Sequence, residues 1–176
     1  MVREKAMKVE IGEYPEDGGD REFSVEISDS DIFSADVTLA IVILPLLKKL
    51  KEEKNGAPDV RNEDVPEELR APVGIQPWDD DPNWQARWDY VIDKMIWSFE
   101  QLHPDSDDWQ EQFYTGEADF KFIPSDEKDE FGEHYHKLEY GPNHTLVFDE
   151  KGYQEYEDRI DEGLRLFGVY FRGLWT

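Results

Sequence analysis

The sequence predicts an α+β fold, in which about three main helices pack on a small antiparallel sheet. Several short segments alternate apolar and polar residues, which is typical of strands. Three longer segments carry apolar residues at helical spacing. Aromatic residues make up 14% of the 176 residues, and side chains of this size favour a packed core.

Two short strands are predicted near the start of the chain. Residues 7–14 and 21–28 each alternate apolar and polar side chains. The turn-forming sequence PEDGGD at 15–20 lies between them. We therefore expect a β-hairpin over residues 7–28.

The first long helix is predicted to begin near Ser34 or Asp36, because either side chain can cap a helix. It extends to about Lys54 and ends in the basic sequence KKLKEEK, which complements the negative end of the helix dipole. Pro45 lies inside this helix, so we expect a kink or a break there.

A long Pro-rich connection follows at about residues 55–82, which hold five of the ten prolines. We expect at most one short helix in it, at 66–70. Connections of this length are often functional. The segments on either side each lack a self-sufficient core, so residues 1–176 are predicted to form a single domain.

The strongest helical pattern lies between Pro82 and Pro104, with Asp81 predicted to cap the helix. The residues at helical spacing form one apolar stripe that should face the core. They are Trp84, Trp88, Val91, Ile92, Met95, Ile96 and Phe99.

The second half of the chain predicts more strand structure before a last helix. Residues 118–124 alternate as a strand, and the charged residues 125–131 favour a loop. Residues 133–140 and 144–149 flank the sequence GPN, which predicts a hairpin near residues 133–149.

The last predicted helix covers residues 153–175 and has one apolar face. Gly163, Gly168 and Gly173 recur in it every five residues. Each glycine costs helix stability, so we expect neighbouring elements to approach closely at these positions.

The chain is strongly acidic, with 19 basic residues against 43 acidic residues and a net charge of −24. Direct binding to nucleic acid is not expected, because phosphate contacts need a basic face. Binding to anionic membranes is disfavoured for the same reason. The charge is compatible with solubility, with a surface for basic partners that includes nucleic-acid mimicry, and with binding of divalent cations.

The motifs of several enzyme classes are missing from the sequence. The chain contains no Cys, which excludes disulfides, thiolate zinc sites and Cys nucleophiles. It also has no Ser-His-Asp spacing, nucleophile elbow, P-loop or GxGxxG sequence. These observations weigh against an enzyme, and no cofactor is expected.

Two groups of residues are candidate contacts for a basic or nucleic-acid-binding protein. Their shared feature is a local excess of carboxylates, joined in one case by a Trp side chain. The first group is Trp78, Asp79 and Asp80, and the second is Glu155, Glu157, Asp158, Asp161 and Glu162.

The sequence GEHYH offers an alternative site, for a divalent metal. If 133–140 is a strand, His134 and His136 point to the same face, about 7 Å apart along it. Neutral imidazoles at this spacing can bind zinc, copper or iron, with a carboxylate such as Glu133 as a further ligand. The competing interpretation is a solvated or packed hairpin face.

Three segments together resemble a group of short acidic proteins encoded by tailed bacteriophages. These segments are RWDYVIDKMIWSFEQ (87–101), YGPN (140–143) and DRIDEGLRLFGVYFRGLW (158–175), and the resemblance also touches residues 41–58 and 65–70. It implies a phage-encoded protein that acts in the cytoplasm of the infected bacterial cell. It brings no catalytic residues with it.

Three hypotheses about function follow. The first is an accessory phage protein, a non-enzymatic module whose acidic surface binds a basic host or phage protein. The second is a metal-binding protein or metal-dependent enzyme that uses His134 and His136 with carboxylates. The third is a component of the virion or of its assembly.

Overall fold

The computed structural model describes residues 7–75, 79–106 and 110–175 and shows an α+β protein, which confirms the predicted fold class. The chain divides into two compact units. One comprises residues 1–106 together with 160–176, and the other comprises residues 107–159. The single-domain organisation stays a prediction, and Trp78 lies outside the described residues.

The N-terminal hairpin is confirmed. Strand β1 (Lys8–Ile11) pairs antiparallel with strand β2 (Phe23–Glu26). A short helix, α1 (Asp29–Phe33), follows it. The carboxylate of Asp31 accepts a hydrogen bond of 2.7 Å from the backbone N–H of Ser28 and so caps this helix.

Helix α2 spans Ala35–Glu53, with Ser34 in the N-cap position as predicted. It runs through Pro45 without the break that we considered. Pro45 has no backbone N–H to donate to the carbonyl of Ile41. Because both residues are exposed, this carbonyl lies on the side of the helix that is open to water.

Helix α3 spans Trp84–Leu102 and carries the centre of the core. The predicted stripe is buried at five positions, whereas Trp84 is 40% exposed because it stands in the first turn, beyond the core. The buried positions are Trp88, Val91, Ile92, Met95 and Phe99.

Helix α2 packs along α3, and ion pairs join their surfaces. Lys48 lies 2.7 Å from Glu100, and Lys54 lies 2.6 Å from Asp89. The basic residues that end α2 are therefore matched by acidic residues of α3, in addition to complementing the helix dipole.

The Pro-rich connection is part of the core and holds two single turns of 3₁₀ helix, at Asn62–Asp64 and Glu67–Leu69. Ala57, Val60 and Val65 are buried in the same apolar cluster as α3. The first part of the connection therefore contributes to the core.

Helix α4 spans Glu150–Tyr170, and a 3₁₀ turn at Phe171–Gly173 follows it. The predicted close approach is present at Gly163, which faces Ser98, and at Gly173, which faces Pro58. It is absent at Gly168 in the described part of the chain, because no neighbouring element lies within 4 Å of the place where a Cβ would stand.

The unit formed by residues 107–159 holds two further antiparallel pairs. Strand β3 (Tyr114–Thr115) pairs with β6 (Val147–Phe148), and β4 (Phe120–Lys128) pairs with β5 (His134–Tyr140). The predicted pairing of 133–140 with 144–149 is therefore wrong.

The physical reason lies in the turn between β4 and β5. Asp129 Oδ1 accepts hydrogen bonds of 2.9 Å from the backbone N–H groups of Phe131 and Glu133. Gly132 adopts a φ of 84°, which side chains disfavour. This turn chemistry outweighs the GPN sequence, and the charged residues 125–128 extend β4 rather than form a loop.

An aromatic cluster forms the interior of this second unit. The ring of Phe113 meets the rings of Phe148, Tyr153 and Tyr156 edge to face, at centroid distances of 6.5, 5.6 and 5.4 Å. The first half of α4 is thereby held against β6.

Candidate functional site

A cleft of about 590 Å³ opens beside the start of α3. Four Asp residues line it, and three of them, Asp59, Asp79 and Asp80, are exposed. Ile75 and Trp84 are among its apolar lining residues. Local turn structure before α3 and the path of the Pro-rich connection bring these residues together.

An internal ion pair lies at the base of this cleft. Arg87 is only 2% exposed, pairs with Asp81 and donates a hydrogen bond of 3.1 Å to the backbone carbonyl of Leu69. The hydrogen bond from Arg87 holds the pKa of the Asp81 carboxyl below its usual range.

The carboxylate of Asp81 stabilises the turn that leads into α3, but it does not occupy the helix N-cap. Asn83 is the N-cap residue, and its backbone N–H donates a hydrogen bond of 3.0 Å to Asp81 Oδ1. Asp81 is thus committed to Arg87 and to this turn. The exposed negative charge of the cleft comes from Asp59, Asp79 and Asp80.

This combination of groups suits the side chain of a Lys or an Arg. Carboxylates form charge-assisted hydrogen bonds with ammonium and guanidinium groups. The face of an indole ring attracts the same cations, and its apolar surface packs against their methylene groups. Asp79 and Asp80 lie at this cleft, as two of the three residues of the first predicted group.

The second predicted group lies on α4, where part of its charge is already paired. Glu155 lies 2.8 Å from Lys151, and Asp158 accepts a hydrogen bond of 2.7 Å from Gln154. Glu157 acts as a hydrogen-bond partner of the Tyr153 hydroxyl.

The last two residues of this group differ in their surroundings. Asp161 is exposed, whereas Glu162 is half-buried. Glu162 accepts a hydrogen bond of 2.7 Å from Arg165 and lies 3.4 Å from Lys94. The hydrogen bond from Arg165 is the main reason why the pKa of Glu162 lies below its usual range.

The histidines of the predicted metal site lie on β5. His134 Nδ1 donates a hydrogen bond of 2.7 Å to the carbonyl of Ser125, at the irregular stretch where β4 shifts its register. His136 lies opposite Pro124. Within residues 7–75, 79–106 and 110–175, no three His, Asp or Glu side chains form a group that could hold a metal ion. Metal binding by His134, His136 and Glu133 stays a prediction.

His144 does not pair with Tyr140, because Phe120 takes that position in the ladder. Its Nδ1 accepts a hydrogen bond of 3.2 Å from the backbone N–H of Asp119, and its ring lies 4.5 Å from that of Tyr140. The third histidine of the sequence GEHYHKLEYGPNH is therefore a packed residue of the loop.

Sequence reasoning missed Asp59, Ile75 and Arg87 as neighbours of Asp79 and Asp80. One signal for Arg87 was present, since it directly precedes Trp88 on the buried side of α3 and a buried Arg needs an acidic partner. Asp59 and Ile75 gave no signal, because their proximity depends on the path of the connection.

The chain matches no protein-family model, no curated protein and no solved structure. None of the helices in the described part of the chain is long and apolar enough to cross a membrane.

Proposed function

We propose that this protein is a non-enzymatic acidic module that binds a basic protein, and that its cleft receives a Lys or Arg side chain of that partner. The observation that carries the proposal is that Asp59, Asp79 and Asp80 line one cleft together with Trp84. Carboxylates and an indole in the same cleft suit an organic cation, and the net charge of −24 would attract a basic partner from a distance.

The resemblance to short acidic phage proteins supports a more specific form of the proposal. The protein would then be a phage-encoded accessory protein in the cytoplasm of the infected bacterium. Its partner would be a host or phage protein that binds nucleic acid, because such proteins carry the basic surface that the cleft requires. Mimicry of a nucleic acid is the narrowest version of this proposal.

The test is an affinity pull-down from nuclease-treated bacterial lysate, washed at increasing salt. The wild-type protein is compared with a cleft variant that combines Asp59→Asn, Asp79→Asn and Asp80→Asn. The matched control removes the same number of charges elsewhere, at exposed positions of the β4–β5 hairpin. It combines Asp126→Asn, Glu127→Gln and Glu130→Gln.

We expect one stoichiometric partner that the wild type and the control retain and that the cleft variant loses. Release of this partner as salt rises is expected, because exposed charge contacts are screened. Equal retention by both variants would show that the cleft is not the site. Recovery of no partner at any salt would contradict the proposed function itself.

Two alternatives stay predictions with their own tests. Elemental analysis of the purified protein, with His134→Ala and His136→Ala as the comparison, tests metal binding. Analysis of purified particles tests a role in the virion.

A further inference from the structure

The N-terminal hairpin has one face that is entirely apolar. In the β1–β2 register, Val9 lies opposite Val25 and Ile11 lies opposite Phe23. Residues two apart on a strand, and residues opposite each other in an antiparallel pair, point to the same side of the sheet. These four side chains therefore form one stripe, which we call the hairpin stripe.

The hairpin stripe is open to solvent. The exposed fraction is 38% for Val9, 57% for Ile11, 77% for Phe23 and 52% for Val25. Every residue from 8 to 27 is exposed, so no other described element covers either face of this sheet. A two-stranded hairpin is marginally stable alone, and a contiguous exposed apolar patch marks an interaction site.

The surroundings of the stripe are acidic. Residues 7–28 hold seven Asp or Glu residues but only two basic residues, Lys8 and Arg21. Both basic side chains interact with other groups of the hairpin. Lys8 lies 2.8 Å from Glu10, and Arg21 donates to the carbonyl of Gly12 and lies 4.6 Å above the ring of Tyr14. Glu10 and Glu26 point to the opposite face of the hairpin. The other five carboxylates, those of Glu13, Glu16, Asp17, Asp20 and Glu22, lie between β1 and β2 and form an acidic border at that end of the stripe.

We propose that the hairpin stripe docks a basic protein through an apolar patch bordered by Lys or Arg residues. The partner has the same chemistry as the one proposed above, so this inference rests on that function, but it involves different residues from the cleft. Apolar contacts in the middle of such an interface supply affinity, while the charged border supplies selectivity and speeds association.

The charge of the chain argues against a second copy of it as the partner that covers the hairpin stripe. Each copy carries a net charge of −24 and an acidic loop next to its stripe, and like charges across an interface oppose association. An anionic membrane is repelled in the same way. A basic protein is the occupant whose charge complements the border.

The experiment measures binding of labelled synthetic peptides to the full-length protein by fluorescence anisotropy. The main probe is a short amphipathic peptide of Leu and Lys. One comparison peptide has Ser in place of Leu and keeps the charge, and another has Glu in place of Lys and keeps the apolar residues. The double variant Ile11→Ser/Phe23→Ser makes the stripe polar.

The matched control for this variant is Leu46→Ser/Phe171→Ser. It removes two exposed apolar side chains from a groove between α2 and the C-terminal end of α4, within the same unit. A loss of binding that is caused by any reduction of apolar surface would therefore occur in both double variants.

We expect the Leu/Lys peptide to bind the wild type and the control alike, and to bind Ile11→Ser/Phe23→Ser at least about tenfold more weakly. The Ser-containing and Glu-containing peptides should bind weakly to all three proteins. Equal affinity of the Leu/Lys peptide for the wild type and Ile11→Ser/Phe23→Ser would overturn the proposal, as would equal affinity of the Leu/Lys and Leu/Glu peptides for the wild type.

A second variant keeps the test meaningful if the polar stripe unfolds the hairpin. Glu13→Gln/Glu22→Gln leaves the stripe intact and weakens the acidic border. This variant should bind the Leu/Lys peptide more weakly than the wild type at low salt. An unchanged affinity would show that the acidic border does not contribute to binding.

Light scattering on the wild type alone tests the second copy as occupant. A dimer that Ile11→Ser/Phe23→Ser converts to a monomer would overturn the proposal in favour of self-association. The Asp59, Asp79 and Asp80 variant should still bind the Leu/Lys peptide through the stripe. If the peptide experiment contradicts docking at the hairpin stripe but the lysate experiment recovers a partner through the cleft, the proposed function is still supported.

Discussion

Gly163 on α4 and Ser98 on α3 lie so close together that a Cβ on Gly163 would overlap the Ser98 hydroxyl. The same Cβ would stand 2.5 Å from the backbone carbonyl of Lys94. The Ser98 hydroxyl donates a hydrogen bond of 3.1 Å to that carbonyl and is fully buried. The two helices therefore meet at a point where only small residues fit.

The variant Gly163→Ala should lower the free energy of unfolding by about 1–3 kcal/mol, because overpacking forces a backbone shift. This loss comes despite the gain of about 1 kcal/mol in helix propensity when Ala replaces Gly. Urea unfolding measures the difference. The control is Gly168→Ala on the same helix, where the space is open and the propensity gain should make the protein more stable. Equal effects at both positions would contradict the close contact.

A buried hydrogen bond joins Tyr170 at the end of α4 to Asp64 in the Pro-rich connection. The Tyr170 hydroxyl donates to Asp64 Oδ2 at 2.6 Å and accepts from the backbone N–H of Arg61 at 3.0 Å. Tyr170→Phe leaves both groups without this partner and should cost about 1–3 kcal/mol of unfolding free energy. Tyr140→Phe is the control, since Tyr140 is 61% exposed, and its unfolding midpoint should match that of the wild type.

The same carboxylate predicts a pH dependence of stability. Burial raises the pKa of Asp64, but hydrogen bonds from Tyr170 and Arg165 lower it by more, so the pKa lies below its usual range. A pKa that is lower in the folded state adds stability above the unfolded value, near pH 4, and this stability is lost as the pH falls through the folded value.

We therefore expect the wild type to exceed Asp64→Asn in unfolding free energy at pH 6, and the difference to shrink below about pH 4. Denaturant titrations of both proteins from pH 6 to pH 2 measure it. The difference between the two proteins is used because protonation of many other carboxylates affects both alike. A difference that stays constant with pH would contradict the role of the Asp64 charge.

Asp80 and Asp81 are adjacent in sequence, but substitution should affect stability strongly only at Asp81. Asp81→Ala leaves the buried guanidinium of Arg87 without its acidic partner, which should cost about 3–5 kcal/mol of unfolding free energy. Asp80→Ala removes an exposed charge from a chain of net charge −24 and should change stability by less than about 0.5 kcal/mol. Thermal or urea unfolding separates the two outcomes, and a stable Asp81→Ala would show that the pair contributes little.

Local patterns were sufficient for the α+β class, the N-terminal hairpin and the long helices. The apolar stripe of α3 has a period set by the helix itself, so Trp88, Val91, Ile92, Met95 and Phe99 could be assigned to the core. The same pattern misplaced Trp84, because periodicity gives the face of a residue and not whether a neighbour covers that face. At Gly168 the low helix propensity of glycine predicted a close neighbour, but propensity does not show whether another element approaches that position.

The candidate site was only partly predictable. Asp79 and Asp80 were found as a run of charge, whereas Asp59, Ile75 and the buried Arg87 became their neighbours through the fold. The alternation of apolar and polar residues in the sequence indicated the apolar face of the hairpin. It did not indicate that this face is exposed. Alternation shows that a strand has two different faces, and it does not say which face is covered.

The sequence by itself determined the acidity, the lack of Cys chemistry, the helical segments and the two faces of the first hairpin, because each depends on composition or on residues a few positions apart. Only the tertiary structure decided that β5 pairs with β4, that Asp64 meets Tyr170 106 residues away, and that the cleft brings Asp59 to Asp79. Such pairings depend on which distant segments approach each other, and this is set by the packing of the whole core rather than by any local pattern.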